Sequence, residues 1–285
     1  MCTRGHHGVT RRAAIFGGTA VVATVAAEAA FSGAAQAAAG QSGRTGQTGQ
    51  TGPSFGHGRG LRDLTYPLTT TFPAFSPGEE AVRRTVVNID PDGYYLQEWR
   101  IIEHIGTHVD APGHFTEGGR LSTELLLSEL ITPAVVIDIA GRAARHPDTV
   151  VTVNDIRAFE RRYGRIPRNA AVLMYSGWGA KVHDADAYRG TDASGTLHFP
   201  GFGVDACEWL LRNRGIRSLG VDTLSIDPGN SATFETHVAL TGADRYGVEN
   251  LANLDKIPRT GATLVVGLIP FEQGSGGQAR VFATW

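Results

Sequence analysis

Hydrophobic and polar positions alternate along Leu61-Arg62-Asp63-Leu64-Thr65-Tyr66, the period of a strand. Thr85 to Ile89 and Tyr94 to Ile105 predict two more strands around the turn Pro91-Asp92-Gly93. Pro133 to Ile139 and Ala170 to Tyr175 are continuous apolar runs, as expected of buried strands. Ile216 to Asp222, Ala262 to Leu268 and a last stretch ending at Trp285 add further strands. The period changes to that of a helix over Val153 to Tyr163, where Ile156, Phe159 and Tyr163 share a face and Asn154 can cap. A second helix follows Val204, and Ser122 to Leu130 predicts a short one. Strands alternating with helices predict an α/β fold, a single-domain mixed β-sheet with flanking helices.

The stretch before Leu61 shows no such pattern. Thr10-Arg11-Arg12 precedes an apolar run, Ala13 to Ala27, that Glu28 closes. The run is shorter than the ~20 residues a membrane span needs. With the small-x-small site Ala35-Gln36-Ala37, residues 1–37 read as a cleaved signal peptide of twin-arginine type. Export to the cell envelope or medium is therefore expected, with no membrane anchor after cleavage. Residues 38–60, with their repeated Thr-Gly-Gln, read as a flexible linker, and residues 61–285 as the globular domain. A net charge of −2 argues against a nucleic-acid partner. Cys2 leaves with the signal, so Cys207 has no disulfide partner and reads as a buried structural thiol.

Candidate chemistry concentrates in Glu103 to Phe115, where three histidines and one aspartate fall within eleven residues. In an extended strand His104, His108 and Asp110 would share one face, and Gly106, Thr107, Val109 and Pro112 oppose a helix. The turn at Pro112-Gly113 would return His114 to the cluster. Imidazole and carboxylate on one face suit a divalent metal, whereas a solvent-facing polar strand is the plain alternative. A second polar stretch, Thr223 to Gly229, follows a strand directly and reads as a site-facing loop. Phe72, in the Pro67 to Pro77 loop, can line a pocket or pack on the sheet. His198 is a candidate substrate contact, as is Ser225.

The motif His104-x-Gly106-Thr107-His108-x-Asp110-x-Pro112-x-His114-Phe115 resembles the signature of the metal-dependent cyclase-family hydrolases, which include bacterial kynurenine formamidase and isatin hydrolase. The resemblance covers roughly residues 61–285. It implies the swivelling β/β/α type of fold. In the family an Asp-x-x-Ser-x-Asp-Pro loop is followed by a His and, twelve residues on, a Glu. Asp222, Ser225, Asp227, Pro228, His237 and Glu249 match that pattern. The resemblance thus implies metal ligation by His104, His108, Asp110, His237 and Glu249, with His114 as acid–base catalyst. Zn is expected first and Mn second, as one ion or as two bridged by Asp110. The implied reaction is hydrolysis of an amide, formamide, lactam or lactone of a small aromatic molecule. Relatives are usually homo-oligomers, so a homodimer or homotetramer is expected, with Trp99 and Phe72 as candidate aromatic contacts. The alternatives are a polyketide-type cyclase or dehydratase, and a secreted metal-binding protein without turnover.

Overall fold

The structure, a computed structural model, describes residues 60–285. The expected signal segment and all but the last residue of the linker lie outside the described residues. The strands in chain order are β1 (Leu61–Asp63), β2 (Val82–Val87), β3 (Leu96–Arg100), β4 (His108–Asp110), β5 (Ile131–Asp138) and β6 (Val150–Val151). They continue as β7 (Ala171–Tyr175), β8 (Gly201–Phe202), β9 (Ser218–Val221), β10 (Tyr246–Glu249), β11 (Ala262–Leu268) and β12 (Gly276–Thr284).

Eight strands form one sheet in the order β1-β12-β11-β5-β7-β9-β10-β4. β4 also pairs with β12, which closes the sheet on itself. β5, β7, β9 and β10 run parallel, and the remaining pairs in this sheet are antiparallel. Strand parity sorts the apolar residues into two cores. Val136 and Leu173 point inward with Val109, Val248, Leu264 and Val281. Val135, Ile137, Val172 and Met174 point outward beneath two helices, Val153–Tyr163 and Val204–Arg214. This explains why β5 and β7 read as unbroken apolar runs: both of their faces are covered. The described residues form a mixed α/β domain, as the sequence pattern predicts.

Several local expectations shift. Thr152, not Asn154, caps the first helix: its Oγ1 accepts from Asp155 N at 3.2 Å and Asp155 accepts from Thr152 N at 2.8 Å. Ser122 to Leu130 forms two 3₁₀ turns, Ser122–Glu124 and Leu127–Glu129, rather than one helix. The strand expected to reach Ile105 ends at Arg100, because β2 and β3 pair only with each other and leave the main sheet. Cys207 is fully buried, and burial pushes its thiol pKa up to about 12, in keeping with a structural role.

Candidate active site

Strand β4 is three residues long and completely buried. His108 and Asp110, two apart, share a face. Glu249 of β10 is the antiparallel partner of His108, so its side chain lies on that same face. The residues paired with Asp110 are both glycines, Gly247 on β10 and Gly276 on β12. A Cβ at Gly247 would come within 2.9 Å of Asp110 Oδ2, and one at Gly276 within 2.6 Å of His104 Cε1. Side chains at either position would fill the space in which the cluster converges.

His104 is not on the strand. It sits in the turn before β4, and Gly106, at φ +71°, swings the chain so that the imidazole still arrives at Asp110. His237 comes from the helix Glu235–Gly242. Asp227 clamps the start of this helix, accepting from Thr236 N at 2.8 Å and His237 N at 3.0 Å, and also contacts His237 Nδ1 at 2.7 Å.

The hydrogen bonds fix which ring nitrogens face the cluster. Gly106 carbonyl can only accept, so His108 Nδ1 donates to it at 2.9 Å. Asp227 likewise takes the proton of His237 Nδ1. Ser275 Oγ donates to Glu103 at 2.7 Å, which leaves it to accept from His104 Nε2 at 2.9 Å. Three ring nitrogens, His104 Nδ1, His108 Nε2 and His237 Nε2, then face two carboxylates. His104 Nδ1 is 2.7 Å from Asp110 Oδ1. His108 Nε2 lies 3.3 Å from Asp110 Oδ1 and 3.4 Å from Glu249 Oε2. His237 Nε2 lies 3.2 Å from Glu249 Oε1 and 3.6 Å from Asp110 Oδ2. Nitrogen and carboxylate oxygen at such distances need a proton or a metal cation between them.

Two groups of side chains, His104-Asp110-His114 and His108-Asp110-Glu249, bring ligand atoms within 4.8 Å of one another. His108 Nε2 and Asp110 Oδ2 are buried without a hydrogen-bond partner. Such an atom costs about 1–3 kcal/mol when left unsatisfied. This donor set fits a divalent cation. The electrostatics agree. Burial opposes charge on His108, yet the Asp110 and Glu249 carboxylates raise its pKa to about 9. His237 is likewise held well above the usual range by Asp110, Asp227 and Glu249 against burial. A bound cation would meet the same negative field. Burial and the neighbouring Asp110 charge raise Glu249.

His114 occupies the 3₁₀ turn Pro112–His114, with its ring stacked on His104 at 3.8 Å between centroids. Burial pushes its pKa down to about 4. The cluster forms the floor of a cavity of about 270 Å³ walled by Phe75, Ile102, Phe115, Leu224 and Phe234. A larger groove of about 520 Å³ lies against the helix Val153–Tyr163 and contains none of these groups.

The structure therefore brings His104, His108, Asp110, His114, His237 and Glu249 together, and Ser225 lies on the cavity wall with them. It places three other candidates outside that wall. Phe72 is buried against Tyr66 at 5.8 Å between centroids, and Phe75, three residues on, faces the cavity instead. Trp99 lies on the β2–β3 hairpin under Arg83. His198 pairs with Asp148 at 2.8 Å and Asp192 at 3.3 Å. Sequence reasoning missed the Glu103–Ser275 pair and the two glycines beside Asp110. Gly276 is buried and opens β12.

Fold and site define a class, and comparison with known proteins gives it a family. Residues 62–228 match the cyclase family, and the chain belongs to it. It is 32% identical over 235 residues to the isatin hydrolase of Roseibium aggregatum, a match covering 79% of this chain and 89% of that one. It is 28% identical over 193 residues to the kynurenine formamidase of Bordetella pertussis, covering 67% of this chain and 82% of that one. The solved structure of isatin hydrolase A from Ralstonia solanacearum matches with a TM-score of 0.74 at 32% identity, covering 78% of this chain and 90% of that chain. The protein is a metal-dependent hydrolase of carbon–nitrogen bonds other than peptide bonds.

Proposed function

We propose that the chain opens or cleaves the amide of a small, uncharged aromatic molecule, a cyclic amide of the isatin type or an N-formyl aniline. The observation that carries this is the placement of three imidazole nitrogens and two buried carboxylates at the floor of an aromatic cavity. Phe75, Phe115 and Phe234 offer faces for a flat ring: Phe115 and Phe234 lie 5.4 Å apart, and Phe75 and Phe234 lie 6.2 Å apart. None of the described residues lining the cavity is Lys or Arg, and Glu79 stands among them. A substrate carrying its own carboxylate would find no lysine or arginine to pair with there.

In this reading His104, His108, Asp110, His237 and Glu249 would hold the cation. Zn²⁺ would come first and Mn²⁺ second, as one ion or two. When bound, the ion supplies Lewis acidity that acidifies water and polarises a carbonyl. His114 does the proton work. Neutral at pH 7, it takes a proton from the attacking water and returns it to the leaving nitrogen. Asp227 and the Gly106 carbonyl hold the His237 and His108 rings in orientation, while the phenylalanine walls exclude bulk water.

Three further readings accompany this one. Arg11-Arg12 and the apolar run after them support twin-arginine export. The family resemblance supports the swivelling β/β/α type. A homo-oligomer, a dimer or tetramer, is supported by the β2–β3 hairpin, which exposes Val82, Val86, Tyr94, Tyr95 and Leu96. A two-stranded hairpin is marginal in water by itself, and a second copy would cover it.

The test combines metal analysis with a screen of isatins, N-formyl anilines and lactones. His114→Ala is expected to keep full metal content and lose about 10²–10⁴-fold in kcat. Metal loss in that variant equal to that of His108→Ala would make His114 a ligand and remove it as the base.

A further inference from the structure

The metal cluster is assembled from three stretches of the chain, and one buried residue ties two of them directly and holds the start of the loop that leads to the third. Asn250 directly follows Glu249 and is 1% exposed. Its Nδ2 donates to the Gly106 carbonyl at 3.0 Å, the same oxygen that accepts from His108 Nδ1 at 2.9 Å. Its own carbonyl accepts from Thr107 Oγ1 at 2.6 Å. Its Oδ1 accepts at 3.0 Å from Tyr188 Oη, which also lies 3.0 Å from the Asp222 carbonyl. Asp222 opens the loop that carries Asp227, the residue that clamps His237. Asn250 N closes the circuit by donating to the Thr223 carbonyl at 3.0 Å.

The backbone at Asn250 is left-handed, with φ 54°. Asn is among the few residues other than Gly that adopt this region readily. A glycine would relieve the backbone but supply neither the donor nor the acceptor. The position therefore requires both the conformation and the amide. We propose that Asn250, secured by Tyr188, is the positioning residue that sets His108 and Glu249 in register with each other, so that the metal site is formed before the ion arrives. Gly106 O is shared between the two donors. Loss of the Asn250 donor leaves the turn at Gly106 free to move and His108 free to rotate with it. Neither Asn250 nor Tyr188 lines the cavity or touches the reacting atoms. Their effect passes through the ligands alone.

The inference rests on the metal reading of the cluster, and the experiment separates the two. Zn²⁺ affinity is measured by chelator competition for the parent chain, Asn250→Ala and Tyr188→Phe. The visible spectra of the Co²⁺-loaded proteins and the melting of the metal-free ones are recorded alongside. Asn250→Ala is expected to weaken Zn²⁺ binding about 10–100-fold and to shift the Co²⁺ bands. Tyr188→Phe, which keeps the ring volume and the fold, is expected to act in the same direction by a smaller factor. Full Zn²⁺ affinity and unchanged bands in both variants would overturn the proposal, even if melting falls, since Asn250 would then be only a core tie. A parent chain that binds neither ion would remove the metal reading itself, and the proposal with it.

Discussion

His114 differs from the other clustered histidines in what surrounds it. His108 and His237 face carboxylates at close range, whereas His114 stacks on a second imidazole and is half-buried. Burial, helped by the nearby imidazoles, outweighs the opposing pull of the Asp110 charge, and its pKa falls to about 4 from an ordinary 6.5. A cation held by its neighbours would push the same way. The sign for catalysis follows: a general base must be unprotonated, and His114 stays so well below neutrality. The acid limb of kcat/KM assigned to His114 is therefore expected near or below pH 4. A limb near pH 6.5 that vanishes in His114→Gln would contradict this. The same depression means that protonation favours the unfolded chain, so the His114 contribution to stability is lost as pH falls from about 6.5 through about 4.

Among the elements, the β10–β4–β12 triplet decides the geometry of the site. Antiparallel pairing puts Glu249 beside His108 and glycines on both sides of Asp110. Gly276→Ala would drive a methyl group against the His104 ring and the Val109 carbonyl. A cost of about 1–3 kcal/mol is expected for such overpacking, seen as lowered melting, together with weakened metal binding. Gly242→Ala, where a Cβ meets nothing within 4 Å, is the control and should change neither. The helices were legible because their burial follows a 3.6-residue period, as with Ile156 and Phe159. The strand ends were not. Gln97 to Ile105 has strand composition throughout, but hydrogen-bond partners run out at Arg100, and composition does not report partners.

For the whole molecule, the consequence of placing the cluster at the closure of the sheet is that metal and fold are linked. β4 pairs with both β10 and β12, and its buried His108 Nε2 and Asp110 Oδ2 lack protein partners. A ligand at 100 times its Kd adds about 2.7 kcal/mol to stability. For a domain of this size that is roughly 5–10 °C in melting temperature. Chelation by EDTA should lower melting by that order, and added Zn²⁺ or Mn²⁺ should restore it. Unchanged melting would mean that the cluster holds no tightly bound ion.

His104, His108, Asp110 and His114 stand out in the sequence because they are close neighbours along the chain, and local spacing survives folding. The buried strands and the two long helices are legible for the same reason: periodicity is a local property. Glu249, His237, Ser275 and Asn250 carry no local signal, and the first two were found only through resemblance. Their place beside Asp110 depends on which strands pair, in which register, and on closure of the sheet through β12. Those choices depend on contacts between residues more than a hundred positions apart, and only the folded chain decides them.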